Sequence, residues 1–185
     1  VPDHNLVLTQ ARLADLRISS MLELFLERCP VPVVGITGSA GKTTTTAILA
    51  DILRYAGEDV IVGGNIGYEL LSRLADISND TRVIVEMSHT QLLRLHSSPA
   101  IACITNITPN HLDQFSWSEY QELKSKIIKW QSPTDLFVAN LDDQNVRKIV
   151  TEGNSRTVTI SLGKKTSRAI SDIGEQDAES AEYLL

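Results

Sequence analysis

Apolar, strand-like runs recur at six places along the chain: 31–36 (Val31-Pro32-Val33-Val34-Gly35-Ile36), 59–63, 82–87, 100–105, 134–139 and 156–161. A strand with one wet face alternates apolar and polar residues, whereas a strand buried on both faces does not. The runs have the length of strands and bear little alternation, so they predict a parallel sheet covered on both faces.

Helical periodicity fills most of the gaps. Thr43 to Tyr55 sets Ile48, Leu49, Ile52 and Leu53 at helical spacing. Ser116 to Gln131 opens on a capping box, Ser116-Trp117-Ser118-Glu119, and carries Glu119, Glu122, Lys126 and Lys129 on a polar face. Trp117, Tyr120, Leu123, Ile127, Ile128 and Trp130 form the apolar arc, and Lys124 falls inside it. Ahead of the first run, Leu13, Leu16, Met21, Leu22, Leu24, Phe25 and Leu26 predict one or two further helices. The expected fold is α/β: a mostly parallel sheet flanked by helices and joined by right-handed crossovers. Residues 1–30 read as a helical lead-in, 31–163 as the principal domain, and 164–185 as a tail that is either loosely held or part of a neighbouring domain.

Composition narrows the function. At 185 residues, 42% hydrophobic and 22% charged, the chain can bury one good core. A net charge of -6 argues against a nucleic-acid binder, whose surface needs clustered Lys and Arg. Cys29 and Cys103 stand among apolar residues without metal or redox spacing, which predicts reduced core thiols. No window offers the roughly 18 consecutive apolar residues of a membrane span, and no signal profile opens the chain, so a cytoplasmic location is expected. The first residue is Val and not Met, which suggests a piece of something longer.

The chemistry concentrates where the first run ends. Thr37-Gly38-Ser39-Ala40-Gly41-Lys42-Thr43-Thr44 lies between a strand and a helix. Its glycines let backbone N–H groups curl inward, the helix N-terminus adds partial positive charge, and Lys42 adds a full one. A polyphosphate fits such a loop, with the Thr43 hydroxyl available to magnesium. The glycine spacing departs from the general phosphate-loop pattern: five residues separate Gly35 from Gly41, and two separate Gly38 from Gly41.

In open parallel sheets ligands sit beyond the carboxyl ends of the strands. There the chain places Gly63-Gly64-Asn65-Ile66-Gly67, Glu86-Met87-Ser88-His89-Thr90-Gln91, and Thr105-Asn106-Ile107-Thr108-Pro109-Asn110-His111-Leu112-Asp113. Glu86 ends an apolar strand, where a carboxylate either meets a cation, such as magnesium held by Thr43, or emerges into solvent. His111 and Asp113 read either as ligands of a second metal or, more economically, as ordinary turn residues. Lys124 must snorkel, pair with an anion, or lose its charge chemically.

Together with Asn140-Leu141-Asp142-Asp143, these motifs occur in an order that resembles the Mur ligases, over about two-thirds of the chain. The Gly-Gly-Asn-Ile-Gly and Glu-x-Ser-x-x-Gln-Leu elements look most like the D-glutamate-adding branch. The resemblance implies the central, phosphate-loop ATPase domain of a three-domain, monomeric enzyme of peptidoglycan synthesis, with the N- and C-terminal domains absent and the fragment inactive alone. It implies ATP and two magnesium sites as cofactors, with UDP-N-acetylmuramoyl-L-alanine and D-glutamate as substrates. By the same resemblance Gly38, Ser39, Ala40, Gly41, Lys42, Thr43 and Thr44 bind ATP. Thr43 and Glu86 hold the first magnesium, His111 and a carbamylated Lys124 the second, and Asn65, Ser88 and Gln91 contact the muramoyl-peptide. Two positions depart from the family pattern: Asn110 replaces an acidic residue, and His89-Thr90 replaces Ser-Phe. A phosphate-loop binding module without ligase activity and a folylpolyglutamate-synthase-like ligase are the alternatives.

Overall fold

The computed structural model describes residues 5–162. The six apolar runs form six strands: β1 (Val33–Thr37), β2 (Asp59–Gly64), β3 (Thr81–Glu86), β4 (Ile101–Ile104), β5 (Leu136–Asn140) and β6 (Arg156–Ile160). They make one sheet in the order β2-β3-β1-β4-β5-β6, and every pairing is parallel. The helices are α1 (Leu6–Leu13), α2 (Met21–Arg28), α3 (Lys42–Tyr55), α4 (His89–Leu93), α5 (Trp117–Ser125) and α6 (Gln144–Ile149), with a 3-10 helix at Leu70–Asp76.

Handedness explains how the helices divide. The step from β1 to β2 runs toward one edge of the sheet, and every later step runs toward the other. Right-handed crossovers therefore put α3 on one face and the later helices on the opposite one. The cores agree. Val33, Val83, Val85, Ala102, Ile104 and Phe137 face Phe25 of α2, Leu92 of α4, Leu123 of α5 and Val146 of α6. Ile36 and Ile84, with Val34, Val60, Val62 and Cys103, face Ala50, Leu49 and Leu53 of α3.

Two expectations need correction. Cover on both faces is incomplete among the described residues: α3 packs mainly over β1, β2 and β3, and Val138, Val158 and Ile160 beyond it are half-buried or exposed. On α3 itself Ile48 and Ile52 are 55% and 43% exposed, and Leu49 and Leu53 do the packing.

The helix expected to reach Gln131 ends at Ser125. From there the N–H groups of Ile127, Ile128 and Lys129 reach back three residues, a tighter winding that turns the adjacent Ile127 and Ile128 both inward. Gln131 stops the segment. Its buried amide donates to the carbonyls of Pro99 and Leu136, each at 3.0 Å, and accepts from Ser155 Oγ at 2.7 Å. Gln131→Ala would leave those buried groups short of partners, so a loss of about 2–3 kcal/mol is expected in urea denaturation.

Two lead-in helices are present, and they differ. None of the residues of α1 is buried, whereas α2 buries Leu22, Glu23 and Phe25. The Glu23 carboxylate accepts from Ser19 Oγ at 2.7 Å and lies 3.1 Å from His96 Nδ1, which ties α2 to the segment before β4. Burial works against its charge, but the Ser19 and His96 contacts outweigh it and hold the carboxyl below its usual range. Cys29 and Cys103 are free thiols, and burial pushes Cys103 up to about 11. Among the described residues no helix is long and apolar enough to cross a membrane. The tail read at 164–185 lies outside the described residues.

Candidate functional site

β1 is the central switch of the sheet: the chain leaves it toward β2 on one side, and β4 lies on the other. The crevice beyond its carboxyl end is where a ligand fits in such sheets. There Ser39, Lys42, Asn65, Ser88, His89, Thr90, His111, Tyr120 and Lys124 line a cleft of about 220 Å³. Segments following β1, β2, β3 and β4 all contribute, as the polarity of the strand ends predicts.

The loop from Gly38 to Gly41 is fastened to the segment leaving β4. Ser39 N–H donates to the Asn106 carbonyl at 2.9 Å, and Ala40 N–H to Asn106 Oδ1 at 3.0 Å. The Ala40 carbonyl accepts from Thr105 Oγ1 at 2.7 Å and Asn106 Nδ2 at 3.0 Å, while Ser39 Oγ donates to the Thr108 carbonyl at 2.9 Å. The amides of Ser39 and Ala40 are thus spent on the scaffold. Those of Lys42, Thr43 and Thr44, in the first turn of α3, have no intrahelical partner and supply the anion-binding donors. Lys42 Nζ folds back on the carbonyls of Gly38 and Ser39, at 3.0 and 3.3 Å, within the arc where a phosphate would sit.

Gly38 has φ of +153°, and a Cβ there would lie 2.0 Å from Thr105 Oγ1. Gly38→Ala is therefore expected to pry the loop from Thr105 and cost about 2–3 kcal/mol, read as a lowered denaturation midpoint.

Glu86 is 1% exposed, so it does not emerge into solvent. Thr43 Oγ1 donates to its Oε2 and Asn65 Nδ2 to its Oε1, both at 2.8 Å. Asn65 is held in turn by its N–H on the Glu86 carbonyl at 2.8 Å. Both donors are neutral groups, and neither is a cation paired with the carboxylate. A hydroxyl and a carboxylate beside a phosphate cradle form an oxygen donor set that fits magnesium.

Lys124 is also 1% exposed and does not snorkel. Its Nζ donates to Thr37 Oγ1 at 3.1 Å, while the Thr37 hydroxyl donates to the Met87 carbonyl at 2.8 Å. Burial, reinforced by the Lys42 charge, pulls its ammonium down to about 7. His111 stands at φ +55° on the loop after β4, its ring 3.8 Å from that of His89. Burial, then His111, Lys124 and Lys42, lower His89. Asp113 is exposed and outside the cleft lining. Among the described residues no three His, Cys, Asp or Glu side chains gather as a metal cluster. His111 and Lys124 line the same cleft.

Ser88 and Gln91 occupy each other. Ser88 N–H donates to Gln91 Oε1 at 2.8 Å and Gln91 N–H to Ser88 Oγ at 3.3 Å, a capping box at the start of α4. Ser88 reaches the cleft, whereas Gln91 lines a separate hollow with Leu22, Gly64 and Tyr68. Other parts of the site were harder to foresee. Tyr120 reads as an apolar-arc residue, yet its hydroxyl lies 3.2 Å from Ser39 Oγ. The Asn140–Asp143 motif is a scaffold: Asn140 Nδ2 donates to the Thr105 carbonyl, and Asp143 accepts from Ile107 N–H and caps α6. Nothing in the spacing of these residues announces either contact.

The parallel sheet and the anion-binding loop beyond β1 define a phosphate-binding α/β domain. Residues 36–183 match the Mur ligase middle domain, and the chain belongs to that family. Among curated relatives it is 44% identical, over 162 residues, to the UDP-N-acetylmuramoylalanine–D-glutamate ligase of Symbiobacterium thermophilum, covering 87% of this chain and 36% of the relative. The enzyme of the same name from Clostridium kluyveri is 40% identical over 152 residues, covering 82% and 33%. The chain thus spans about a third of the length of these relatives. Among solved structures, MurF from Acinetobacter baumannii superposes with a TM-score of 0.55 at 21% identity, over 72% of this chain and 32% of that one. A pseudomurein peptide ligase type C from Methanothermus fervidus gives 0.55 at 27% identity, over 84% and 33%.

Proposed function

We propose that this domain is the ATP-handling part of a ligase that joins D-glutamate to UDP-N-acetylmuramoyl-L-alanine in the cytoplasm. The observation that carries the reading is the Thr43–Glu86 pair at the start of α3, which Asn65 joins to the cleft lined by Lys42, His111 and the buried Lys124. The names of the relatives supply the substrates.

In this reading an oxygen of the alanyl carboxylate attacks the γ-phosphorus of ATP, the bond to the β–γ bridging oxygen breaks, and ADP leaves. The amine of D-glutamate then attacks the acyl phosphate carbonyl, inorganic phosphate departs, and the amine loses a proton. Lys42 and the first-turn amides of α3 neutralise the phosphate oxygens as charge moves onto ADP. Thr43 and Glu86 would hold one magnesium, and His111 with carbamylated Lys124 a second; bound there, magnesium supplies electrostatic neutralisation of the transferring group. Carbamylation needs Lys124 as the neutral amine, which adds to carbon dioxide and releases one proton. A lysine pulled down to about 7 meets that need. Asn65 fixes Glu86, and Ser88, with Gln91 behind it, faces the muramoyl-peptide side.

The test is amide formation by the longer enzyme, assayed with ATP, the nucleotide-linked muramoyl-alanine and a panel of amino acids. D-glutamate should be the preferred acceptor, and Glu86→Gln should lower turnover at least about 100-fold. Undiminished turnover by Glu86→Gln would sink the assignment. The chain of 185 residues alone should form no amide.

A further inference from the structure

The reaction proposed above brings two anions into one cleft, the terminal phosphate of ATP and the alanyl carboxylate of the acceptor. The lining suits that. Lys42 and Lys124 supply amines, and none of the residues lining the cleft is an Asp or Glu. Lys42 and the first turn of α3 serve the phosphate from beyond β1, while Ser88, His89 and Thr90, leaving β3, form another part of the lining. Side-chain hydrogen bonds in this second segment leave one donor over. Ser88 N–H and Ser88 Oγ both donate to Gln91 Oε1, at 2.8 and 3.0 Å. With the Ser88 proton committed there, the Thr90 hydroxyl is the donor of its own 3.0 Å contact with Ser88 Oγ and is spent as well. The Gln91 side chain lines the separate hollow with Leu22 and Tyr68. His89 remains. Among the described residues its ring has aromatic neighbours and no hydrogen-bond partner.

The ring is also fixed in place. His111 lies against it with centroids 3.8 Å apart and planes inclined at 31°, and Phe115 stands edge-on at 6.0 Å. A ring packed through its face presents its nitrogens at the rim, and His89 is half-buried on the cleft it lines. Imidazole carries an N–H whether or not it is protonated, so the donor is present in either state. We propose that His89 orients the acceptor: its ring N–H donates to the alanyl carboxylate and holds one carboxylate oxygen toward the γ-phosphorus. The inference rests on the proposed function and adds a role for His89 which that reading leaves unassigned. A carboxylate beside a polyphosphate meets repulsion and rotates freely, and a charge-assisted bond from a ring that cannot turn offsets both. Ser88, the neighbouring hydroxyl, has no proton left for that oxygen.

The experiment is calorimetry on the longer enzyme with the nucleotide-linked muramoyl-alanine and with its carboxamide, in which a neutral amide replaces the reacting carboxylate. His89→Phe keeps a ring for His111 and Phe115 and removes the N–H. The parent should bind the acid at least about tenfold tighter than the carboxamide, the low end for a hydrogen bond to a charged group. His89→Phe should lose that preference by weakening the acid alone, and should still bind a non-hydrolysable ATP analogue within about twofold of the parent, as a folded phosphate loop requires. In the parent, the His89 side-chain N–H resonance should shift with the acid and stay in place with the carboxamide. A His89→Phe enzyme that binds the acid as tightly as the parent, one that loses acid and carboxamide in equal measure, or equal His89 shifts with both compounds would overturn the inference and leave the proposed function standing. A parent that binds neither compound would overturn the proposed function, and this inference with it.

Discussion

Lys42→Ala should cut the kcat/KM of the longer enzyme for ATP by about 1,000-fold, the scale set by removing a charged group aimed at a transferring phosphoryl. In the 185-residue chain the same substitution should weaken a non-hydrolysable ATP analogue by roughly 10- to 100-fold, since a hydrogen bond to a charged partner contributes about 1.5–3 kcal/mol. The fold should survive. Among the described residues Lys42 Nζ donates to the carbonyls of Gly38 and Ser39, and the loop is held independently by Asn106, Thr105 and Thr108. Calorimetry on the chain, paired with a thermal melt, separates loss of a ligand contact from loss of structure. Equal binding by the two proteins would remove the phosphate-loop assignment.

Lys124→Met should do two opposite things. In the longer enzyme it should abolish amide formation, because the carbamate proposed at Lys124 cannot form. In the chain it should raise stability near and below neutral pH by roughly 3–5 kcal/mol, the scale of moving an amine from its ordinary range to about 7. The sign follows from the protons. Between about pH 7 and 10.5 the unfolded chain holds the Lys124 proton and the folded one has released it, so stability rises with pH across that window. Below the window both states are protonated and the folded state carries the whole burial cost. Methionine matches the lysine stem without the charge, and Thr37 keeps its bond to the Met87 carbonyl. Urea denaturation at pH 6 and pH 9 should show the advantage of Lys124→Met shrinking at the higher pH. An advantage equal at both would mean that Lys124 is not a buried ammonium.

The central strands were readable because burial on both faces leaves apolar residues at consecutive positions, as in β1 and β3, whereas β6 at the edge alternates Thr with Val158 and Ile160. The loop was readable because glycines and a lysine between a strand and a helix have few other uses. Glu86 and Lys124 were visible as charges out of place, and each proved 1% exposed. What stayed hidden depended on residues distant in sequence. Asn106 meets Ala40 across 66 positions, and Tyr120 meets Ser39 across 81. The early end of α5 depended on packing of Ile127 and Ile128 that a helical projection does not contain. Ser88 and Gln91 carried the spacing of a capping box, Ser-x-x-Gln, which the family motif overshadowed.

The fastening of Ser39 and Ala40 to Thr105, Asn106 and Thr108 makes the phosphate loop and the loop that carries His111 parts of one mechanical body. An anion that draws the first loop inward pulls on the second through those bonds, three residues from the imidazole. In the proposed reading, where His111 holds a cation, the two events share a coupling free energy, and such coupling is reciprocal: whatever factor a nucleotide adds to cation affinity there, that cation returns to the nucleotide. Loosening Asn106 would leave each ligand its own contacts and remove only their mutual help.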